Sequence, residues 1–469
     1  MKKTFGPTHA LILIALLTLI LAPRLVAGTL DLKSADRFDA AGDYAQAASA
    51  YVSAAQRLPW MLSLWEKAGD AYLNGKDYYT AEYYYEMALS RHALSPSGYL
   101  GWGDAAFVLG DPRFAVDLWN GLIDKGGDPF LLLPRLAHGY QALELYSDEI
   151  QTWYKYLIYQ PGDAAAHYRL GLLLAATAPA DALPEFMQAA QLDPDLDPTV
   201  QGLRTTLNTA LLSDDRATHF LVAGRALGAL GEWDLAAEAF RNAIAGRSNY
   251  AEAWAWLGEA EHQQGQDGSR EIEQALTFGP ESPMVQGLYG MSLQRLGEPD
   301  AALAAFHKAA DLEPDNPGWQ IALGSASEQA GDLVAAYEYY FHAVELAPED
   351  ASTWRALAAF SITNNVDVDV TGLPAARKLV GLAPDDWQSY DLAGQAEFLL
   401  EYYTAAEIYL KKAVQMGPTQ AAPALHLGLV YMQTGDHTLA YSYLNLARTF
   451  DPNGPYGWQA GRLLEQYFP

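Results

Sequence analysis

Residues 283–348 read PMVQGLYGMSLQRLGEPDAALAAFHKAADLEPDNPGWQIALGSASEQAGDLVAAYEYYFHAVELAP and hold one pattern twice, at a spacing of 34 residues. Leu288-Tyr289-Gly290 answers to Ala322-Leu323-Gly324, Gly297-Glu298 to Gly331-Asp332, and Ala302 to Ala336. Phe306, Ala309 and Pro314 then answer to Tyr340, Ala343 and Pro348, so the register holds through the whole unit. Self-similarity at such a period marks a stacked array, because a unit this small cannot bury its own apolar face and needs a neighbour to cover it.

Within the unit, Tyr289, Leu293 and Leu296 recur at helical spacing, as do Leu303, Phe306 and Ala310, which predicts two amphipathic helices per copy. Gly297 and Gly331 stand where the first helix ends, a place that favours a residue tolerant of positive φ. Pro314 and Pro348 close the second helix, since proline cannot continue one. Gly290 and Ala302 are small where two helix backbones approach; a leucine at Gly290 would overpack that contact at a cost of roughly 1–3 kcal/mol. The residues carrying this pattern resemble the tetratricopeptide repeat, a family of helix-turn-helix units that stack into a right-handed superhelix. That resemblance implies a concave face lined by the first helix of each repeat, which binds extended peptides or partner helices.

Composition narrows the function classes. The chain has 469 residues, with 29 Lys and Arg against 57 Asp and Glu, for a net charge of −28. Half of it is hydrophobic, richer than a disordered acidic chain. Such acidity opposes nucleic acid or anionic lipid as partner, because their phosphates would be repelled. There is no cysteine, which excludes disulfides and cysteine-ligated zinc.

At the N-terminus, Lys2 and Lys3 precede an apolar run from Ala10 to Ala22, followed by Pro23-Arg24 and Leu25-Val26-Ala27. A run of 13 residues fits the apolar core of a secretory signal and falls short of the ~20 that span a bilayer. Extended from Thr8 past Arg24 to Ala27, it would make a marginal span. Residues 1–27 are therefore expected to form a signal peptide or a signal-anchor helix. Leu25 is larger than the residue favoured before a cleavage site, which tilts the choice toward a cell-membrane anchor over a secreted chain. With the lysines held in the cytoplasm, the remainder would be extracytoplasmic.

The repeat marks run on from there. Residues 28–196 hold five repeats, signalled by Ala68-Gly69 with Tyr85, Trp102-Gly103 with Trp119, Leu136-Ala137 with Trp153, and Leu170-Gly171 with Phe186. The register breaks at 197–216, where an extra helix is expected from Pro198 to Leu212; this junction is either a hinge or a rigid irregularity. Seven further repeats occupy 217–452, one with an anomalous turn at 364–371, and Tyr456 to Tyr467 within 453–469 reads as a capping helix. The expected architecture is all-α: an α-solenoid superhelix of about twelve repeats with a C-terminal cap.

Chemistry-bearing constellations are sparse. The ten histidines are scattered, with no HExxH frame, and no Gly-rich phosphate loop is present. Asp193-Pro194-Asp195-Leu196-Asp197 alternates carboxylates as a calcium loop begins, but Pro198 stands where that loop needs its glycine and Arg204 where it needs its closing glutamate. Asp367 and Asp369 on the anomalous turn are no better placed. The reading is of no catalytic residue, no metal and no cofactor. Nearly every residue after the N-terminal segment belongs to a repeat, the extra helix or the cap, and the resemblance implies that catalysis in this family comes from an attached domain. The chain is expected not to be an enzyme.

The candidate partner-binding residues are Arg135, His138, Tyr168, Arg169 and Arg225. They follow Glu66, Asp70 and Asp104 along the face that the resemblance makes concave, and arginine recognises carboxylates in bidentate fashion. They could dock an acidic or C-terminal segment, or simply pair with the surrounding Asp and Glu. Tyr83-Tyr84, Tyr339 and Tyr402 exceed the periodic aromatic series, and either pack between repeats or line a surface for peptide or sugar. The function expected is a scaffold binding peptide segments or partner proteins, exported or membrane-tethered, in a cell-envelope assembly. The alternative is an extracytoplasmic carbohydrate-binding module that uses the exposed tyrosines.

Overall fold

The computed structural model describes the backbone of residues 7–468 and the side chains of residues 22–468. Every regular element among these residues is helical. In the first of two compact units, which ends at Leu230, five helical hairpins follow one another. They are α1 (Pro7–Ala40) with α2 (Tyr44–Arg57), α3 (Leu64–Asn74) with α4 (Tyr78–Ser90), and α5 (Pro96–Val108) with α6 (Pro112–Ile123). Next come α7 (Pro129–Ala142) with α8 (Tyr146–Tyr159) and α9 (Ala164–Thr177) with α10 (Pro179–Leu192). The unit closes with α11 (Asp197–Ala210) and α12 (Arg216–Ala229).

The second unit starts at Gly231 with α13 (Trp233–Gly246) and continues with α14 (Ala251–Gln263) and α15 (Ser269–Phe278), then α16 (Pro283–Arg295) and α17 (Pro299–Leu312). Beyond them lie α18 (Pro317–Gln329) with α19 (Leu333–Leu346), α20 (Ala351–Thr363) with α21 (Leu373–Leu382), and α22 (Trp387–Leu399) with α23 (Tyr403–Met416). The last elements are α24 (Ala421–Thr434), α25 (His437–Phe450) and α26 (Pro455–Tyr467). The chain is an α-solenoid of tetratricopeptide-type hairpins, and its repeat number agrees with the twelve expected.

Local chemistry repeats with the period. Asp43, Asp77 and Asp111, 34 residues apart, each cap a second helix by accepting from the backbone N–H three residues on. Asp332 and Asp436 do the same in the second unit. The turn before each cap needs a left-handed residue; Gly297 and Gly331 supply it with φ of 76° and 81°. The small residue on the first helix lies under the aromatic ring of the second. A Cβ on Gly290 would lie 2.6 Å from Phe306 Cε1, and one on Gly69 would lie 2.9 Å from the Tyr85 ring.

First helices of successive hairpins touch one another: α3 with α5, α14 with α16, α18 with α20, α20 with α22, and α22 with α24. Each second helix packs chiefly on the first helices before and after it in the chain. First helices therefore form a row within each unit. The extra helix, expected at 198–212 and found as α11, leaves that row intact. It buries Val200, Leu203 and Leu207 between α10 and α12, and α12 still contacts α9.

Two irregularities take particular forms. The two residues missing around Gln266-Asp267-Gly268 shorten α15 and bring the Gly268 backbone onto Gly258, at a distance where no Cβ would fit. The anomalous turn has Asn365 and Asp367 at φ of 52° and 46°, then winds as a single π turn, Val368–Gly372, directly into α21. The terminal helix α26 packs on α24 and α25 through Gly457, Ala460 and Leu464, and Tyr456, partly exposed, meets His426 of α24 edge-on at 6.2 Å, while Trp458 and Tyr467 are also exposed.

At the other end, α1 runs through Gly28 without a break. It meets α2 where Arg24 donates to the Gln56 carbonyl at 3.0 Å and Gly28 lies against Leu58. Lys2, Lys3 and the side chains of the apolar run up to residue 21 lie outside the described residues. Among the described residues no helix is long and apolar enough to cross a membrane.

Candidate functional site

In the first unit, the row of first helices begins with acidic residues held by tyrosines. Tyr51 Oη donates to Asp36 Oδ1 at 2.9 Å, and Tyr85 Oη donates to Asp70 Oδ1 at 2.8 Å. Burial, reinforced by the nearby Glu66 charge, pushes the Asp70 carboxyl up to about 6, against the opposing pull of the Tyr85 hydrogen bond. The Tyr85 hydroxyl, itself buried over Asp70, is held well above the usual tyrosine range.

Two of the candidate arginines, Arg135 and Arg169, each meet a carboxylate. Arg135 on α7 gives Nε and Nη2 to the two oxygens of Asp104 on α5, at 2.7 and 3.0 Å. Arg169 on α9 forks onto Glu149 of α8 at 2.8 and 3.2 Å; Glu149 is fully buried and also accepts from Trp153 Nε1. His138 meets the Trp153 ring edge-on at 6.0 Å, and Tyr168 lies tilted 6.1 Å from Phe186. Arg225, on α12, is engaged as well. The bidentate geometry anticipated for an incoming carboxylate is thus made internally at Arg135 and Arg169.

The extra tyrosines divide. Tyr84 stacks between Trp65 and Tyr72 at 5.9 and 5.3 Å, and Tyr339 Oη lies 3.2 Å from His307 Nε2. Tyr83 and Tyr402 are exposed, as is Tyr79.

The second unit contains the more open site, which sequence reasoning missed. A cavity of about 320 Å³ lies where α20, α22, α24 and α26 converge. Its apolar walls are Ile362, Phe398, Leu399 and Leu429; its polar groups are Thr363, Gln395, His426 and Gln459. Beneath it, the buried Asp391 holds His426 Nδ1 at 2.8 Å through one oxygen and accepts from Gln395 Nε2 at 3.0 Å through the other. Among the described residues there is no cluster of side chains suited to a metal ion.

A signal for these partners lies in the numbering. Links between first helices of adjacent repeats recur at separations near one period: Arg135–Asp104 at 31, Gln294–Ser325 at 31, His426–Asp391 at 35 and Asn364–Glu328 at 36. Links from a second helix to the next first helix recur at 20, as in Glu82–Trp102, Glu149–Arg169 and Arg377–Glu397. Reading the chain for polar pairs at those separations would have found Asp391 with His426.

A family model described as tetratricopeptide repeat matches residues 32–98, 221–279 and 290–360. No curated protein matches the chain in sequence. Among solved structures, yeast Tom70 is 15% identical, with 94% of this chain and 95% of that one covered at a TM-score of 0.44. The structure titled APC/C hetero-tetramer Cut9–Hcn1 is 15% identical over 96% and 99% of the two chains, at a TM-score of 0.42. PilF of Pseudomonas aeruginosa is 18% identical over 46% of this chain and 99% of that one, at a TM-score of 0.38. With the model matching segments in both units, and small first-helix residues seated under second-helix aromatics at a 34-residue period, the chain is built of tetratricopeptide-type repeats.

Proposed function

We propose that this chain is a non-enzymatic scaffold that holds partner proteins along its rows of first helices, tethered outside a cell membrane by its N-terminal segment as part of an envelope assembly. The observation that carries the binding role is the contiguity of first helices, which leaves an open, partly apolar cleft of about 320 Å³ between repeats. The tether is supported by the apolar run after Lys2 and Lys3, and by a first helix that passes from that run into the first hairpin without interruption. An acidic segment docking at Arg135 would have to displace Asp104; at Arg169 it would have to displace the fully buried Glu149. Arg135 is thus the more exchangeable of the two.

The test is affinity capture from detergent-solubilised native membranes, with mass spectrometry of both the captured proteins and the N-terminus of the bait. Retention of Met1 or Lys2 together with defined protein partners supports the tethered scaffold. A chain beginning near Gly28 removes the tether, and an absence of protein partners removes the scaffold. A glycan-binding reading has the exposed Tyr79 and Tyr83, one helical turn apart on α4, in its favour. Retention on immobilised glycan that Tyr83→Ser abolishes would establish it.

A further inference from the structure

We propose that the cleft between α20, α22, α24 and α26 receives a large apolar side chain of a partner segment whose flanking residues are lysine or arginine. The proposal rests on the scaffold reading and names the chemistry of its partner. At about 320 Å³ the cavity is at the small end of ligand clefts, enough for one or two side chains. Its walls are aliphatic and aromatic, and Leu399 is 41% exposed where it borders the opening. An apolar wall open to water gains by being covered.

The polar groups are arranged for a backbone alongside that anchor. Asp391 takes Nε2 of Gln395 and Nδ1 of His426, which fixes both side chains and leaves the Gln395 amide oxygen and His426 Nε2 with no protein partner among the described residues. With its Nδ1–H given to Asp391, the neutral His426 ring offers Nε2 as an acceptor, so it and the Gln395 amide oxygen can both take backbone N–H groups of an extended peptide.

Charge selects the flanks. Neither α22 nor α24 contains a lysine or arginine, the only one in α20, Arg355, is bonded to Asp386, and α26 contributes a single exposed cation, Arg462. Exposed carboxylates follow the ends of the helices that form the cleft: Asp367 and Asp369 after α20, and Glu401 after α22. Residues 231–469 carry 12 Lys and Arg against 32 Asp and Glu, so a basic segment is drawn to this unit and an acidic one is repelled.

The experiment pans a random dodecapeptide display library on the full chain and counter-selects on Leu399→Gln, a substitution at a half-exposed position whose folding is checked by circular dichroism and melting. The expected binders carry a Leu, Ile, Phe or Met next to Lys or Arg. They lose at least about tenfold in affinity to Leu399→Gln and roughly threefold to a combined Asp367→Asn, Asp369→Asn, Glu401→Gln variant, with a shallower salt dependence. Acidic binders, binders indifferent to Leu399→Gln, or no binders at all would overturn the proposal. A native partner captured equally well by wild type and Leu399→Gln would overturn the cleft while leaving the scaffold reading standing; a chain that captures none loses both.

Discussion

Tyr85 Oη donates to Asp70 Oδ1 at 2.8 Å, and 34 residues earlier Tyr51 makes the same bond to Asp36 at 2.9 Å. One period later the pair dissolves. Trp119 takes the tyrosine place, its buried Nε1 finds no partner among the described residues, and Asp104 turns to Arg135 instead. In the fourth repeat His138 and Trp153 occupy the two places and meet edge-on. A single column of the array thus passes from hydroxyl–carboxylate pairs to an ion pair and then to a ring contact, without changing the hairpin that carries it.

The Asp70 pair gives a pH prediction. Burial raises this carboxyl from 3.8 to about 6, so the folded chain binds its proton more tightly than the unfolded chain does. Stability contributed by this group is therefore greatest at acid pH and falls as pH rises through the window from about 4 to 6. Asp70→Asn keeps an acceptor for Tyr85 and removes the charge. It is expected to stabilise the chain by about 1–2 kcal/mol at pH 7.5, after allowance for partial solvation, and by almost nothing near pH 4. Thermal melts of both proteins at pH 4, 6 and 7.5 check this; a constant difference across the series would contradict it.

Gly290 gives a packing prediction. With a Cβ there only 2.6 Å from Phe306 Cε1, Gly290→Leu should cost roughly 1–3 kcal/mol in urea unfolding. Phe306→Ala alone opens a cavity in a fully buried site and should cost about 3–5 kcal/mol. The double variant should cost less than the sum, because the leucine partly fills that space. Strict additivity would show that the two residues do not press on each other.

Most of the fold was legible because the period is written in residues with unambiguous physics. Gly297 and Gly331 permit the turn, Asp332 caps the next helix, and Pro283 and Pro317 sit in the first turn of first helices. The candidate site was legible only in part. Arg135 and Arg169 stood out by charge, but charge alone does not say whether a guanidinium is free, and both carboxylate partners lie in neighbouring helices. The cleft was invisible for another reason. Its walls are ordinary leucine, isoleucine and phenylalanine drawn from three helices, and nothing local separates a residue lining a gap between repeats from one that fills it.

The turn position also has exceptions that carry a prediction. Lys76, Glu144 and Glu401 stand where Gly42, Gly110 and Gly435 stand in other repeats, and adopt the same left-handed conformation, with φ of 63°, 55° and 63°. An L-residue pays about 1–2 kcal/mol for that conformation, while glycine gives back part of the gain through the freedom of the unfolded chain. Glu144→Gly should therefore stabilise by up to about 1 kcal/mol. Glu86→Gly, at an exposed position inside α4, should destabilise by about the same amount. Loss of stability in both would mean that Glu144 makes a compensating interaction.

The two arginine pairs differ in burial, and that difference decides how they respond to mutation. Asp104 and Arg135 are each about a third exposed, at 29% and 35%, so their attraction is screened and Arg135→Ala should cost no more than about 1 kcal/mol. Glu149 is fully buried, the Arg169 side chain is 15% exposed, and Trp153 Nε1 adds a third donor to the same carboxylate. Arg169→Ala would strand that charge and should cost about 3–5 kcal/mol. Arg169→Ala combined with Glu149→Gln should recover much of the loss, since the neutral amide still accepts from Trp153. Denaturant unfolding of wild type, Arg135→Ala, Arg169→Ala, Glu149→Gln and the double variant measures both costs and the coupling. A large effect at Arg135 with a small one at Arg169 would reverse the assignment of which pair is structural. If the order holds, a partner-binding defect in Arg135→Ala reports on the surface itself, while one in Arg169→Ala reports first on folding.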